Sequence, residues 1–403
     1  MTLRVLIVGD EIPMPGGSAA SHFVGRMARG LAHAGASAHV LCLDYTESAA
    51  APRNTEARGP LGDGATFEYA VASPVKPAGA ALLAGRVRAR LGLRALVAAR
   101  ATPGSTVVVH YGRFSSVLLH LLAICRAEGI PLVHCLVEWR LAFAHQTLRQ
   151  RIDDAVFHRS LRRLDGSIVV STYLETALRS QMGVTHPILR VPVFSDREIV
   201  AVPSPSPPAR PYALLCADFD SYPHDACFAV DAVARVPELE LLLVGKAEAR
   251  REEILARARS QGCEARVTLR STYVPDDELR TLYAGAAALL APLGDDDRSR
   301  ARFPSKVADY LLAGAPVVSN RVGEVDAWLR DGETAFLAPP GDVEAFAEAI
   351  RRAVTDPSRA RVAAQGRALA SEVFDFRVQG ERLRAFLEGI AAARQAPARS
   401  KNM

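Results

Sequence analysis

The chain has 403 residues, 49% of them apolar and 23% charged. That is an ordinary globular composition and more chain than one core holds, since domains run to about 100–200 residues. The net charge is +5, and no apolar run approaches the roughly 18–20 residues of a membrane span, which excludes a spanning helix.

The charge is uneven. Residues 1–200 carry 22 Lys and Arg against 15 Asp and Glu, and the remainder 27 against 29. Six cysteines, at 42, 125, 135, 216, 227 and 263, form no CxxC pair. They read as reduced thiols, without support for a zinc site.

The first residues, MTLRVLIVGDEIPMP, contain too short an apolar run for a signal peptide, and Asp10 and Glu11 follow at once. A buried first strand over 3–9 fits better, and the expectation is a cytoplasmic chain. A loop with Pro15-Gly16-Gly17-Ser18 leads to a helix from Ser18 to about His33, then a strand over 38–44. No acid occurs between Glu68 and Glu128, where Arg86, Arg88, Arg90, Arg94 and Arg100 alternate with Leu, Val and Ala. Two readings fit this stretch: a solvated arginine-rich helix, or a surface that rests on anionic lipid or receives an acidic acceptor. Few aromatics accompany the arginines, which speaks against nucleic acid. Strands are expected over 105–112, 131–139, 165–172 and 188–194, with a helix between the first two. Short apolar strands alternating with helices imply βαβ units and a parallel sheet.

Residues 202–211 hold five prolines, cannot continue a helix or a central strand, and mark a domain boundary. The alternation then restarts. Strands are expected over 212–219, 239–245, 265–271, 287–293 and 315–320. Helices are expected between them, one of them over 304–314, and amphipathic helix runs through 342–354 and most of 358–394. The expected domains are 1–200, a linker at 201–211, 212–375, and a C-terminal helix and tail at 376–403.

Several places carry chemistry. The Gly16-Gly17-Ser18 loop precedes a helix N-terminus, where the backbone can approach a phosphate and Ser18 can cap the helix. It is not GxGxxG, and no such motif occurs elsewhere, which argues against a nicotinamide oxidoreductase. Arg298, Arg300, Arg302, Ser305 and Lys306 converge where a loop enters a helix, a good anion site at a strand's carboxyl end. The adjacent Asp295–Asp297 run has the look of a metal-binding DxD but no partner ligand; no metal site is assigned. His110 and Glu138 stand at the carboxyl ends of two expected strands, with Arg113 and Arg140 beside them to serve an anionic acceptor. A histidine there can act as acid, base or hydroxyl partner. Gly245-Lys246 and Arg270-Ser271-Thr272-Tyr273 end two further strands within reach of a nucleotide; a plain loop fits each as well.

The stretch DDELRTLYAGAAALLAPL, followed by PSKVADYLLAGAPVVSNRVGEVDAWLRDGETAFLAPPGD, resembles the second domain of retaining glycosyltransferases of the GT-B fold, family 4. The PGGS loop and the succession HYG, VEW, RRLDGSIVVSTYL and VPV extend the resemblance over most of the chain. It implies an α/β protein of two Rossmann-like domains facing across a cleft, with the last helix crossing back to the first. The second domain would bind a nucleotide-sugar donor, the first a hydroxyl acceptor. Transfer would retain the anomeric configuration, without an obligatory metal or other cofactor. Gly16, Gly17 and Ser18 would lie by the donor diphosphate, held from the other side by Arg302, Ser305 and Lys306. Gly245, Lys246, Ser271 and Tyr273 would border the donor. His110 would touch the donor sugar, and Glu138, Arg113 and Arg140 would shape the acceptor pocket.

Two departures stand out. The paired glutamates of the family's second domain are replaced by Ala301 and Asp309, the latter a shortened carboxylate in a catalytic position. The Arg and Lys usual after the second domain's first strand are absent from Ala217-Asp-Phe-Asp-Ser-Tyr-Pro-His224, where Arg302 and Lys306 would have to compensate. These departures motivate the alternative of a catalytically degenerate GT-B protein that binds or activates a partner transferase. A sugar-nucleotide epimerase of the same architecture is a third reading, but its acid and base groups are not apparent. The acceptor class stays open between a glycan, a lipid-linked sugar and a natural-product precursor, and the basic N-terminal domain is expected to contact an anionic membrane face peripherally.

Overall fold

The computed structural model describes residues 2–139, 147–199 and 210–395. The chain divides into two compact units, Met1–Phe194 with Phe376–Met403, and Ser195–Asp375.

The first unit is built on β1 (Arg4–Gly9), β2 (Ser37–Cys42), β3 (Arg58–Gly62), β4 (Ala65–Tyr69), β5 (Thr106–Tyr111), β6 (Leu132–Leu136), β7 (Gly166–Val169) and β8 (Ile188–Arg190). Its helices are α1 (Ala19–His33), α2 (Ala80–Leu91), α3 (Leu93–Ala98), α4 (Ser115–Ala127), α5 (Leu148–Leu161) and α6 (Thr172–Thr176). The strands form one sheet in the order β3-β4-β2-β1-β5-β6-β7-β8. All neighbours run parallel except β3 with β4. Strands such as RVLIVG and TVVVHY are apolar on both faces because helices cover both faces. Ser18 caps α1, exchanging hydrogen bonds with Ser21 so that two orphan N–H groups are met.

The antiparallel pair β3–β4 is not among the expected strands. Its β3 reads RGPLG, too poor in apolar residues to stand out, and the turn signal is Asp63-Gly64. Pro60 sits there because β3 is the sheet edge. The arginine-rich stretch is helical, as α2 and α3, separated at Gly92.

The second unit carries β9 (Tyr212–Cys216), β10 (Glu240–Val244), β11 (Val267–Arg270), β12 (Ala288–Ala291), β13 (Val317–Asn320) and β14 (Phe336–Ala338). Its helices are α7 (Pro223–Ala234), α8 (Arg251–Ser260), α9 (Asp276–Gly285), α10 (Asp297–Ala301), α11 (Lys306–Ala313), α12 (Gly323–Trp328), α13 (Val343–Thr355) and α14 (Arg359–Glu372). The sheet is parallel throughout, in the order β11-β10-β9-β12-β13-β14. Phe219, Val230, Leu243, Phe336, Phe346 and Ile350 anchor its core, all fully buried. In α13 the apolar spacing at 346, 349, 350 and 353 gives one core-facing stripe.

The amphipathic run expected over 358–394 breaks at 373–375, and α15 (Phe376–Gln395) belongs to the first unit. Phe374 is buried against Phe303 and Trp328, while Asp375 bridges to Ser195 and accepts the N–H of Arg197. These contacts hold the connection in an unwound form that apolar periodicity does not report. In the first unit α15 crosses α1 where Gly30 and Gly380 meet. A Cβ on either glycine would overlap the backbone of the other helix. The proline-rich segment lies outside the described residues from 201 to 209. Among the described residues no helix is long and apolar enough to cross a membrane.

Candidate functional site

In the second sheet, β9 is flanked by β10 on one side and β12 on the other. The chain runs from β9 out to β10 and β11 on one side and then crosses back to β12 on the other, so the carboxyl ends of β9 and β12 flank the topological switch point where open α/β sheets bind ligands. The chain passes from Cys216 through a loop to Tyr222 and enters α7 at Pro223. Proline suits the first helical turn because it has no N–H to leave unpaired.

Three cations from a distant part of the sequence gather on this loop. The Arg298 and Arg302 guanidinium carbons lie 3.9 and 4.1 Å from the centre of the Tyr222 ring. Arg298 also donates to the Ser221 carbonyl at 3.0 Å. Arg302 pairs with Asp225 at 3.0 Å, both side chains being only 14% exposed. Lys306 donates from Nζ to the carbonyl of Cys216, the last residue of β9. The Cys216 N–H in turn donates to the Tyr310 hydroxyl at 2.8 Å.

Burial works against a charge on Arg302, but Asp225 and then Tyr222 outweigh it and hold its pKa above the ordinary value. Burial lowers the pKa of Lys306, only partly offset by Cys216 and Asp225. The place therefore concentrates desolvated positive charge, held by one carboxylate, one ring and backbone carbonyls. An entering diphosphate would meet guanidinium forks and an ammonium where charge-assisted bonds are strong.

The expected convergence of 298–306 is partial. Arg300 is exposed and turned to Asp295 and Asp297. Asp296 caps α10 by accepting the N–H of Ser299, so the acidic run serves helix start and ion pairs. Ser305 stands at the N-cap position of α11 with no side-chain capping bond. Asp309 lies in the first turn of the same helix, near the Tyr283 and Tyr310 hydroxyls, whose ionisation it opposes after burial and Cys216 have done so. Ala301 is fully buried.

Gly245 has φ +141°, and a Cβ there would overlap the Ala217 carbonyl, so the ends of β9 and β10 approach closely only with glycine. Lys246 is exposed, 3.5 Å from Asp220 on the loop after β9. Ser271 and Tyr273 lie beyond β11, at the sheet edge and two strands from β9. Ser271 accepts from Arg251 at 3.5 Å and Tyr273 is exposed.

In the first sheet the switch point falls between β1 and β5. His110, on β5, is 0% exposed. Its Nδ1 lies 3.0 Å from Nδ1 of His134 on β6, and its Nε2 3.5 Å from Oδ1 of Asp10 just after β1. The other Asp10 oxygen accepts the Phe114 N–H at 3.0 Å. The ring is enclosed by neighbouring strands, and Asp10 is the carboxylate it faces. Glu138 lies two residues past the end of β6 and is exposed, not at the strand end. Arg113 is exposed and pairs with Glu11 at 3.2 Å. Arg140 lies outside the described residues. Gly16 has open space about its α-carbon, and the Gly17 carbonyl accepts from Arg53 at 3.0 Å.

Asp10, His134, Tyr222 and Asp225 were not singled out by sequence reasoning. A signal existed for Asp10, a lone acid directly after an apolar strand, and none for the others. Among the described residues no three His, Cys, Asp or Glu side chains gather as a cation site.

Residues 210–356 match the family model described as "Glycosyl transferases group 1", and residues 18–193 that of the "Glycosyl transferase 4-like domain". One relative is a lipopolysaccharide core biosynthesis glycosyltransferase, LpsE, of Rhizobium meliloti. It is 30% identical over 138 residues, covering 34% of this chain and 38% of the relative. Another is a D-inositol 3-phosphate glycosyltransferase of Rhodococcus jostii, 30% identical over 137 residues, with coverage of 32% and 29%. The alignment thus spans only about a third of each of these relatives' lengths. Among solved structures, sucrose-phosphate synthase from Thermosynechococcus elongatus superposes with a TM-score of 0.75 at 18% identity, covering 97% of this chain and 100% of that one. Anabaena HepE in complex with UDP and glucose gives 0.69 at 17%, covering 96% and 99%.

Proposed function

The chain belongs to the group 1 glycosyl transferases of the GT-B fold, and from that membership we propose that it is a retaining transferase moving a sugar from a nucleotide-sugar donor to a hydroxyl acceptor. The observation that carries this reading is the gathering of Arg298, Arg302 and Lys306 on the loop after β9. That loop lacks the Arg and Lys usual for the family, and cations from 76 to 90 residues away in the sequence arrive there instead. A departing nucleoside diphosphate carries its charge at such a place, and prepositioned donors lower the barrier most where charge develops.

In this reading the second unit binds the donor. Arg302, Ser305 and Lys306 hold the diphosphate, Gly245 and Lys246 lie alongside, and Ser271 and Tyr273 border the donor's outer part. Asp309 faces the sugar. The first unit takes the acceptor, with Glu138, Arg113 and Arg140 shaping its pocket. Gly16, Gly17 and Ser18 offer backbone donors to the diphosphate, and His110 acts together with Asp10. The nucleotide sugar is substrate, and no resident cofactor is part of the proposal. The acceptor is a glycan, a lipid-linked sugar or a natural-product precursor, reached at a cytoplasmic membrane face that the basic first unit contacts peripherally.

Because HepE was solved with UDP, and also with UDP-glucose, UDP-sugars are the first to test. Calorimetric titration of the full chain with UDP-, GDP-, ADP- and TDP-sugars should give saturable binding to one of them. Binding to none would remove the donor site. The second reading, a degenerate partner-binding chain, is favoured by one observation: the buried Ala301 offers no carboxylate. Donor binding without turnover on any acceptor would support it.

A further inference from the structure

Six of the seven exposed large hydrophobic residues among the described ones fall on three neighbouring helices of the first unit. Leu83, Val87 and Leu91 lie on α2 at 67%, 47% and 79% exposure, Leu119 on α4, and Leu148 and Ile152 on α5. Scattered exposed leucines need no explanation, but a concentration of them on one surface does.

On α2 the spacing of four residues places Leu83, Val87 and Leu91 in a single stripe. The opposite side of α2 is the packed one. Ala89 is buried, and Arg86 reaches Asp44 at 2.8 Å. The three helices are tied together at one end of the sheet. Arg90 of α2 donates to Ser116 at the start of α4 at 3.4 Å, and Ser115 beside it donates to Asp153 of α5. Leu119 stands one turn along α4 from these contacts, and Ile152 is next to Asp153. The leucines therefore border a common face beside the carboxyl ends of β2 and β5.

Arginines rim this face. Arg88 and Arg90 flank the α2 stripe, and Arg149 and Arg151 flank Leu148 and Ile152, while Arg86 is paired with Asp44. Nearby acids are few. None occurs between Glu68 and Glu128. On α5, Asp154 is buried and Asp153 is bonded by Ser115. Glu128 is paired with Arg94. Apolar side chains with long cationic neighbours suit the boundary between acyl chains and anionic headgroups. The leucines insert shallowly, and the arginines lay their stems along the apolar surface with their heads at the phosphates.

We propose that the first unit docks on an anionic bilayer through this face of α2, α4 and α5. The inference rests on the membrane contact included in the functional reading above and names the surface that makes it. Docking there sets the carboxyl edge of the first sheet, the acceptor side in that reading, against the lipid surface, which fits an acceptor hydroxyl carried at the membrane.

The test is flotation of the full chain with phosphatidylcholine vesicles and with vesicles also containing phosphatidylglycerol. Partition into the anionic vesicles, weak binding to the neutral ones and release by salt are expected. Replacing Arg88 by Gln should lower the partition coefficient on the order of fivefold. Leu83→Gln with Leu91→Gln should lower it on the order of tenfold or more. Leu148→Gln with Ile152→Gln, on another helix, should act in the same direction. All these side chains are exposed, so thermal unfolding should not move.

No partition of the wild type, equal partition into neutral vesicles, or unchanged partition of both leucine variants overturns the proposal. So does loss of concentration-dependent self-association in those variants without loss of vesicle binding. Nucleotide-sugar titration of the same samples separates the two readings. Donor binding without vesicle partition removes the docking face alone, and partition without donor binding removes the transferase alone.

Discussion

Lys306 donates a hydrogen bond from its ammonium to the carbonyl of Cys216, across 90 residues of sequence. The bond joins the first turn of α11 to the end of β9, and it exists because the sheet places β12, which precedes α11, directly beside β9. Arg302 makes the companion contact with Asp225. In the free protein the candidate anion site is thus occupied by the protein's own oxygens.

Asp225 competes with an incoming diphosphate for Arg302. Asp225→Asn should destabilise the free chain by about 1–3 kcal/mol, since a poorly solvated guanidinium loses its charged partner. The same change should enlarge the rise in urea midpoint produced by pyrophosphate or a nucleotide sugar. An unchanged ligand effect would show that Arg302 does not meet the diphosphate.

The Gly30–Gly380 crossing sets the distance between α1 and α15. Gly380→Ala forces the helices apart against backbone that cannot give way. A loss of about 1–3 kcal/mol or more is expected in denaturant unfolding, the range for overpacking a close contact. Ala at Gly389 on the same helix, where a Cβ meets nothing, should cost little.

Asp10 satisfies the Phe114 N–H and faces His110. Asp10→Ala strands a poorly solvated donor and should cost about 1–3 kcal/mol. The donor affinity carried by Arg302 and Lys306 of the second unit should largely hold while sugar transfer falls. If transfer survives at the wild-type rate, the Asp10–His110 pair is only architectural.

His186 gives the acid side of the stability profile. Burial and then Arg179 take its pKa from 6.5 to about 4, and its Nε2 lies 2.8 Å from the Ser167 hydroxyl. Between these two values the unfolded chain binds the proton that the folded chain refuses. Stability contributed here is present above 6.5 and lost as pH falls toward 4. Partial exposure of the ring makes the slope shallower than the full shift implies. Urea midpoints of the wild type should fall relative to those of His186→Gln across that window. Parallel curves would mean that the ring titrates normally.

Much of this was legible in the sequence, and the misses have physical causes. Runs such as LRVLIVG and LELLLVG announce buried parallel strands because both faces must be apolar. The β3 sequence RGPLG does not, because an edge strand need not be. Arg302, Ser305 and Lys306 were visible as a local cluster at a helix start. Tyr222, Asp225 and the Cys216 carbonyl were not, since only the adjacency of β9 and β12 brings them there. His110 was found as a histidine near a strand end, but its burial depends on His134 and Asp10, one on a neighbouring strand and the other just after one.

The most direct test is calorimetric titration of the wild type and of the Arg302→Ala, Lys306→Ala double variant with the nucleotide sugar that the wild type selects. Charge-assisted hydrogen bonds contribute about 1.5–3 kcal/mol each, so the double variant should lose several kcal/mol of binding while unfolding as cooperatively as the wild type. Equal affinity in the two proteins would contradict the assignment of the donor diphosphate to the end of β9.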